Sequence, residues 1–153
     1  MATKTTLAQT VEDLNVALCA CGNLRRANRV VTQFYVDAMR PTGLTPGQFT
    51  VLVLLSGGQL KSQTALAEAL AMDRTTLIRN LRPLEEKQLI SVNTTKPRGA
   101  KTLSLTDLGG EALEHALPLW QQAQDHMTST LGQDRWAGLI DGLASAVQAA
   151  QHR

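Results

Sequence analysis

The chain has 153 residues, of which 43% are hydrophobic, 18% charged and only 3% aromatic, and its formal net charge is +2. The core must therefore be built from leucine, alanine, valine and isoleucine, which favours packed helices over a large β-sandwich. No apolar run reaches the roughly 18 residues of a membrane span, the N-terminus lacks a signal-peptide pattern, and two cysteines do not form a disulfide framework. We therefore expect a cytoplasmic, mainly α-helical single domain with no membrane partner.

The N-terminal part of the chain is predicted to be one long amphipathic helix over residues 6–40. Apolar side chains recur there at steps of three and four residues, from Leu7 to Phe34, which places them along one side of a helix. Pro41 and Gly43 then end the helix.

The next segment, residues 44–106, is predicted to contain three shorter helices and a β-hairpin. Thr45 caps the first helix, whose sequence is apolar on nearly every side and therefore predicts burial. Ser62 is expected to cap a short helix over residues 63–70. Asp73 is expected to cap the following helix.

After this helix the hydrophobic period changes from that of a helix to that of strands. Two short apolar runs flank the sequence NTTKPRGAK, in which Pro97 and Gly99 predict a turn, so we expect a two-stranded hairpin with a basic tip. Thr106 then caps a second long helix, and residues 107–150 form the C-terminal helical part. The apolar stripes of both terminal parts exceed what one small head can cover, which favours a homodimer.

The positive charge is concentrated in residues 61–101. That segment carries eight basic and four acidic side chains, a net charge of +4, whereas the rest of the chain carries −2. A local positive zone on a nearly neutral protein indicates an anionic partner for this region. Its basic residues are Lys61, Arg74, Arg79, Arg82, Lys87, Lys96, Arg98 and Lys101.

Two short helices joined by a tight turn and followed by a basic hairpin predict a winged helix-turn-helix that binds double-stranded DNA. A helix enters the major groove, where arginine pairs with guanine and asparagine with adenine, while hydroxyl groups and helix N-termini hold phosphates. The candidate DNA-contacting residues are Ser62, Gln63, Thr64, Asp73, Arg74, Thr75, Thr76, Arg79, Asn80, Arg82, Lys96, Arg98 and Lys101.

The sequence resembles the MarR family of bacterial transcriptional regulators over nearly its whole length. The resemblance rests on QTALAEALAMDRTTLIRNLRPLEEKQLI, on LSLTDLGGEAL after the wing, and on the upstream stretch RRANRVVTQFYVDAMRPTGLTPGQFTVLVLLS. It implies a winged helix-turn-helix over 44–106, set between dimerisation helices over 6–40 and 107–150. It also implies a homodimeric repressor on a palindromic operator, with half-sites roughly 34 Å apart, that is released by a small molecule, here an aromatic or phenolic acid, or by an oxidant.

Three features of the segment that follows Asp73 depart from a regular pattern. Pro83 lies inside the predicted DNA-reading helix and predicts a bend, with DNA contact ending at that point. Gln88 stands where the family usually has glycine, at a position that prefers left-handed geometry. In the wing, Gly99 occupies the usual arginine position, and Arg98 lies one residue away and is expected to serve through a shifted turn.

Two pairs of residues in the first helix suggest how such a regulator is controlled. Arg25 and Arg29 lie on one side of the helix, where they either pair with acidic residues or hold an effector carboxylate. Cys19 and Cys21 are either small packed hydrophobes or thiol sensors of an oxidant, which gives the alternative function of a redox-sensing regulator. On a helix the two thiols point roughly 200° apart, so they cannot bridge each other.

Other classes of function are less well supported by the residues. No histidine lies near either cysteine in sequence, which argues against a thiol enzyme. The three histidines lack ligand spacing, so no metal or other cofactor is expected. A protein-interaction module that has lost DNA binding remains an alternative, against which the +4 segment and the polar helix face argue.

Overall fold

The computed structural model describes residues 18–58, 62–94 and 101–151, and confirms a mainly α-helical chain with a small β-hairpin. Within these ranges no helix is both long and apolar enough to cross a membrane. The chain divides into two units, residues 1–34 and residues 35–153. In chain order the elements are α1 (Ala20–Met39), a 3-10 turn (Arg40–Thr42), α2 (Pro46–Ser56), α3 (Gln63–Ala69), α4 (Arg74–Glu86), β1 (Ile90–Thr94), β2 (Lys101–Leu105), α5 (Asp107–Leu131) and α6 (Gln133–Gln151).

Four helices of the second unit begin where the sequence predicts, because a side chain caps each of them. Thr45 and Gln48 form a reciprocal capping box at the start of α2. The side chains of Ser62, Asp73 and Thr106 accept the backbone N–H groups of the third residue beyond them. These caps set the ends of α3, α4 and α5.

The core of the second unit is aliphatic, as the composition predicts. Leu52 of α2, Leu66 of α3, Leu77 and Leu84 of α4, and Leu103 of β2 are all fully buried in one cluster. α5 packs against α2, where Phe49 stacks on Trp120 with ring centroids 5.6 Å apart. This packing holds α4 with one face in the core and the opposite face outside.

The hairpin pairs antiparallel in the register Ile90↔Leu105 to Thr94↔Lys101. The ladder extends into the polar sequence NTTKPRGAK that was predicted to form the tip, because β1 ends at Thr94 and β2 begins at Lys101. An isolated bridge also joins Ser62 to Thr102, and so ties the start of α3 to β2. The predicted tip, with Lys96 and Arg98, lies outside the described residues.

The start of the first helix differs from the prediction. Cys19 is not helical, and α1 begins at Ala20 rather than continuing from residue 6. The Cys19 carbonyl accepts both the backbone N–H and the side-chain amide of Asn23, each at 3.0 Å. The backbone bond is the first hydrogen bond of α1, so Cys19 stands at the N-cap position of this helix. Residues 6–17 of the predicted helix lie outside the described residues.

Pro83 and Pro118 lie inside helices and do not end them. α4 continues past Pro83 to Glu86, and α5 continues past Pro118 to Leu131. Pro83 lacks an N–H, so its ring removes one hydrogen-bond donor from the helix interior. Leu84, which follows it, is fully buried.

Gln88 adopts the left-handed geometry that its position predicts, with φ of 58°. This conformation costs an L-residue roughly 1–2 kcal/mol, and glycine avoids the cost. We expect Gln88→Gly to raise the free energy of unfolding by about 1 kcal/mol, measured by urea denaturation. Gln88→Ala retains a Cβ and should give no such gain; equal stability of the two variants would contradict the prediction.

Candidate DNA-binding surface

α4 presents the polar face of its first two turns to solvent. The turn from α3 passes through Ala71, whose φ is 50°, and Asp73 then starts the helix. The side chains of Arg74, Thr75 and Arg79 are exposed. They make no hydrogen bond or ion pair with any other described residue, so their donors are available to an external partner.

Thr76 and Asp73 instead bind each other at the start of α4. The Thr76 hydroxyl donates to Asp73 Oδ2 at 2.6 Å, and the Thr76 backbone N–H donates to Oδ1 at 2.9 Å. These two hydrogen bonds, the hydroxyl first, lower the pKa of the Asp73 carboxyl below its ordinary value of 3.8. The carboxylate therefore fixes the first turn of α4.

A lowered pKa in the folded state makes this cap sensitive to acid. The carboxylate stabilises the fold above the unfolded pKa, and this contribution is lost as the pH falls through the lower, folded pKa. We expect the stability difference between the wild type and Asp73→Asn to be constant at neutral pH and to shrink below pH 3.8. Urea denaturation across this range measures it; a difference independent of pH would contradict the role of the charge.

Two further predicted contacts are engaged within the chain. The Asn80 side-chain amide donates to the sulfur of Met72 at 3.4 Å. Arg82 Nε donates to Glu86 Oε1 at 2.8 Å, in an exposed pair one helical turn apart. An exposed pair of this kind is worth little and exchanges readily for another partner. The polar face of α4 thus divides into residues with open donors and residues with a partner in the same chain.

The start of α3 corrects one predicted site residue. Thr64 is exposed, and Ser62 Oγ accepts the Ala65 N–H at 3.1 Å, but Gln63 is only 8% exposed. Gln63 shares its helix face with the buried Leu66, which lies three residues on and turns it inward. Its Oε1 has no hydrogen-bond partner among the described residues, and it lines a cleft of about 410 Å³ beside α4 and the hairpin. Gln63 is therefore not displayed on the surface as the polar pattern suggested.

Solved structures similar to this chain are transcriptional regulators. MosR of M. tuberculosis is 36% identical, with 89% of this chain and 98% of that one covered and a TM-score of 0.77. MosR in complex with DNA is 37% identical, with 86% and 98% covered and a TM-score of 0.75. The repressor CouR bound to a 23-mer DNA duplex is 29% identical, with 88% and 96% covered and a TM-score of 0.77.

This chain belongs to the MarR family of transcriptional regulators. A curated relative, a transcriptional regulatory protein for the hcr operon of Thauera aromatica, is 34% identical over 94 residues, which are 60% of this chain and 56% of that protein. No family model matches the chain. The relatives are transcriptional regulators, which confirms the predicted class of function.

In this MarR-family chain the wing contributes one described basic residue, Lys101. It lies exposed at the start of β2, opposite Thr94 in the hairpin register. It lies beside the same cleft as Arg82 of α4. The hairpin therefore adds positive charge next to the exposed face of α4.

The candidate regulatory residues of α1 are all exposed. Arg25 and Arg29 make no ion pair with a described residue, which leaves the predicted pairing with acidic groups without support inside the described chain. Cys19 and Cys21 are free thiols and exposed in the protomer, and the choice between packing and sensing stays a prediction. No group of three potential metal ligands occurs among the described residues.

One exposed residue of α4 is apolar and was therefore not among the predicted DNA contacts. Ile78 is 45% exposed and lies among the predicted DNA contacts. Its signal in the sequence is its position one residue after Leu77, off the Leu77, Leu81 and Leu84 core stripe.

Proposed function

We propose that the chain is a homodimeric repressor that binds a palindromic operator through α4 and the wing and is released by an aromatic or phenolic acid. The observation that supports this most directly is the open face of α4. Arg74, Thr75 and Arg79 offer unengaged donors on a helix whose other face is held in the core. This is the arrangement with which a recognition helix meets base edges in the major groove.

The predicted contacts that the structure leaves exposed take roles that follow from their placement, whereas Gln63 is buried and Asp73 caps α4. Arg74, Thr75 and Arg79 face base edges, and Asn80 joins them when its amide leaves Met72. Arg82 exchanges Glu86 for a phosphate, and Ser62, Thr64 and Thr76 place hydroxyl groups and N-terminal backbone N–H groups near the DNA backbone. Lys101 of β2 adds positive charge toward the adjacent minor groove, and Lys96 and Arg98, which lie outside the described residues, keep their predicted part in the same contact.

The terminal helices support the homodimer. α6 buries none of its residues within the protomer, although apolar side chains recur along it. Exposed apolar surface of this extent on α5 and α6 indicates a surface that a partner covers. A second copy of the chain is the simplest partner. The exposed side chains are Leu117 of α5 and Leu139, Ile140, Leu143 and Val147 of α6.

The effector class is supported by CouR and by the arginines of α1. CouR bound to p-coumaroyl-CoA is 30% identical to this chain, with 88% of this chain and 95% of that one covered. That ligand is the thioester of a phenolic acid. Arg25 and Arg29 lie one turn apart with open guanidinium groups. This arrangement suits the carboxylate of an aromatic acid or the phosphates of a coenzyme A thioester.

Selection of bound fragments from a library of genomic DNA tests the proposal. We expect enrichment of one palindromic sequence, two protomers per bound duplex in sedimentation, and release by one member of a panel of aromatic acids and their thioesters. Arg74→Ala/Arg79→Ala should abolish the enrichment, while Arg135→Ala, which removes an exposed arginine from α6, should keep it. Failure to enrich any sequence would exclude the function.

The exposure of both thiols favours one second candidate, a regulator released by oxidation. The surface location gives peroxide access to them. Titration of DNA binding with peroxide decides between the candidates. We expect Cys19→Ser or Cys21→Ser to remove the response if a thiol is the sensor; the same response in both variants and in the double variant would exclude it.

A further inference from the structure

Ile78 is placed on the outer side of α4, unlike the other large apolar residues of that helix. Leu77, Leu81 and Leu84 are 0%, 2% and 0% exposed, whereas Ile78 is 45% exposed. A helix that follows the core stripe strictly would carry a polar residue at this position. The side chain therefore offers apolar surface on the face that α4 turns to solvent.

The exposed neighbours of Ile78 on the helix surface include predicted DNA contacts, and on its other side Ile78 lines the cleft between α4 and the hairpin beside Glu85 and Val92. Arg74 and Thr75 lie one turn before it, Arg82 lies one turn after it, and Arg79 follows it in sequence. Isoleucine is also branched at Cβ and has one strongly preferred rotamer in a helix. It consequently presents a fixed apolar surface and loses little side-chain entropy when a partner covers it.

The major groove offers one apolar group at its base edges, the C5-methyl of thymine. We propose that Ile78 is a specificity-determining residue that packs against a thymine methyl group in each half-site. This inference rests on the proposed function. Arginine pairs with guanine and cannot specify thymine. Ile78 therefore adds a preference for thymine to the operator sequence.

The test replaces each thymine of the selected operator, one at a time, by deoxyuridine, which differs only in lacking the methyl group. We expect one position, repeated in both half-sites, at which the wild type binds the uracil duplex about fourfold more weakly. This factor corresponds to the free energy of burying one methyl group. Ile78→Ala should bind the thymine and uracil duplexes equally, and Ile78→Val should keep part of the difference. Fluorescence anisotropy at fixed salt measures each dissociation constant.

Two controls separate this contact from other sources of the methyl effect. Val53→Ala removes a similarly exposed β-branched side chain, 38% exposed, from α2 and should keep the wild-type response to uracil. Leu108→Ala removes another exposed apolar side chain, 50% exposed, from the start of α5 and should also keep it. A uracil effect that persists in Ile78→Ala, or that is absent at every thymine, overturns the role of Ile78 while leaving the operator intact. Failure to select any operator overturns both this inference and the proposed function.

Discussion

Replacement of Arg79 by alanine is expected to weaken operator binding by about 1–3 kcal/mol and to relax base preference at one position of each half-site. The Arg79 guanidinium is exposed and makes no ion pair with another described residue. Truncation therefore leaves no intrachain carboxylate unpaired, and the loss measures the DNA contact alone. The measurement is a set of dissociation constants for the operator and its single-base variants.

Arg82→Ala is the matched comparison on the same helix. Arg82 pairs with Glu86, so its removal also frees a negative charge, and a phosphate contact carries no base preference. We expect its effect to be uniform across operator variants, in contrast to that of Arg79. Arg135→Ala on α6 should leave every constant unchanged. An Arg79→Ala protein that keeps the wild-type ranking of operator variants would remove Arg79 from the base-reading residues.

The sequence predicts the winged module well because its boundaries depend on local interactions. Thr45, Ser62, Asp73 and Thr106 each bond a backbone N–H three residues ahead, so a short window of sequence contains both partners. The start of α1 escaped prediction because the apolar spacing of Leu18, Cys21 and Leu24 runs across Cys19 and gives no sign of the break there.

The site is predicted less completely, because burial depends on distant parts of the chain. Gln63 looks like a surface residue in sequence, yet α3 turns it toward the core. Polar pattern alone also cannot distinguish Arg79, which is open, from Asn80 and Arg82, which have partners within the chain. Ile78 was not predicted because only hydrogen-bonding side chains were considered as DNA contacts, whereas an apolar side chain can also contact a base.

Gly109→Ala is expected to lower the free energy of unfolding by about 3 kcal/mol, the upper part of the range for overpacked sites. A Cβ at Gly109 would clash with the Leu89 carbonyl oxygen and would lie 2.8 Å from Leu105 Cδ1. The carbonyl cannot easily move, because it also accepts the Thr106 N–H at 3.2 Å. α5 must therefore shift away from the base of the wing, and urea denaturation measures the cost.

The next residue supplies the control for this close approach. A Cβ at Gly110 meets no atom within 4 Å, although it lies in the same turn of α5. Gly110→Ala should raise stability by roughly 0.5–1 kcal/mol, because alanine loses less backbone entropy in a helix. Opposite signs for two adjacent glycines would isolate the contact with Leu89 from helix propensity. Equal gains would instead mean that α5 does not approach the wing closely, and that the wing is not held by this contact.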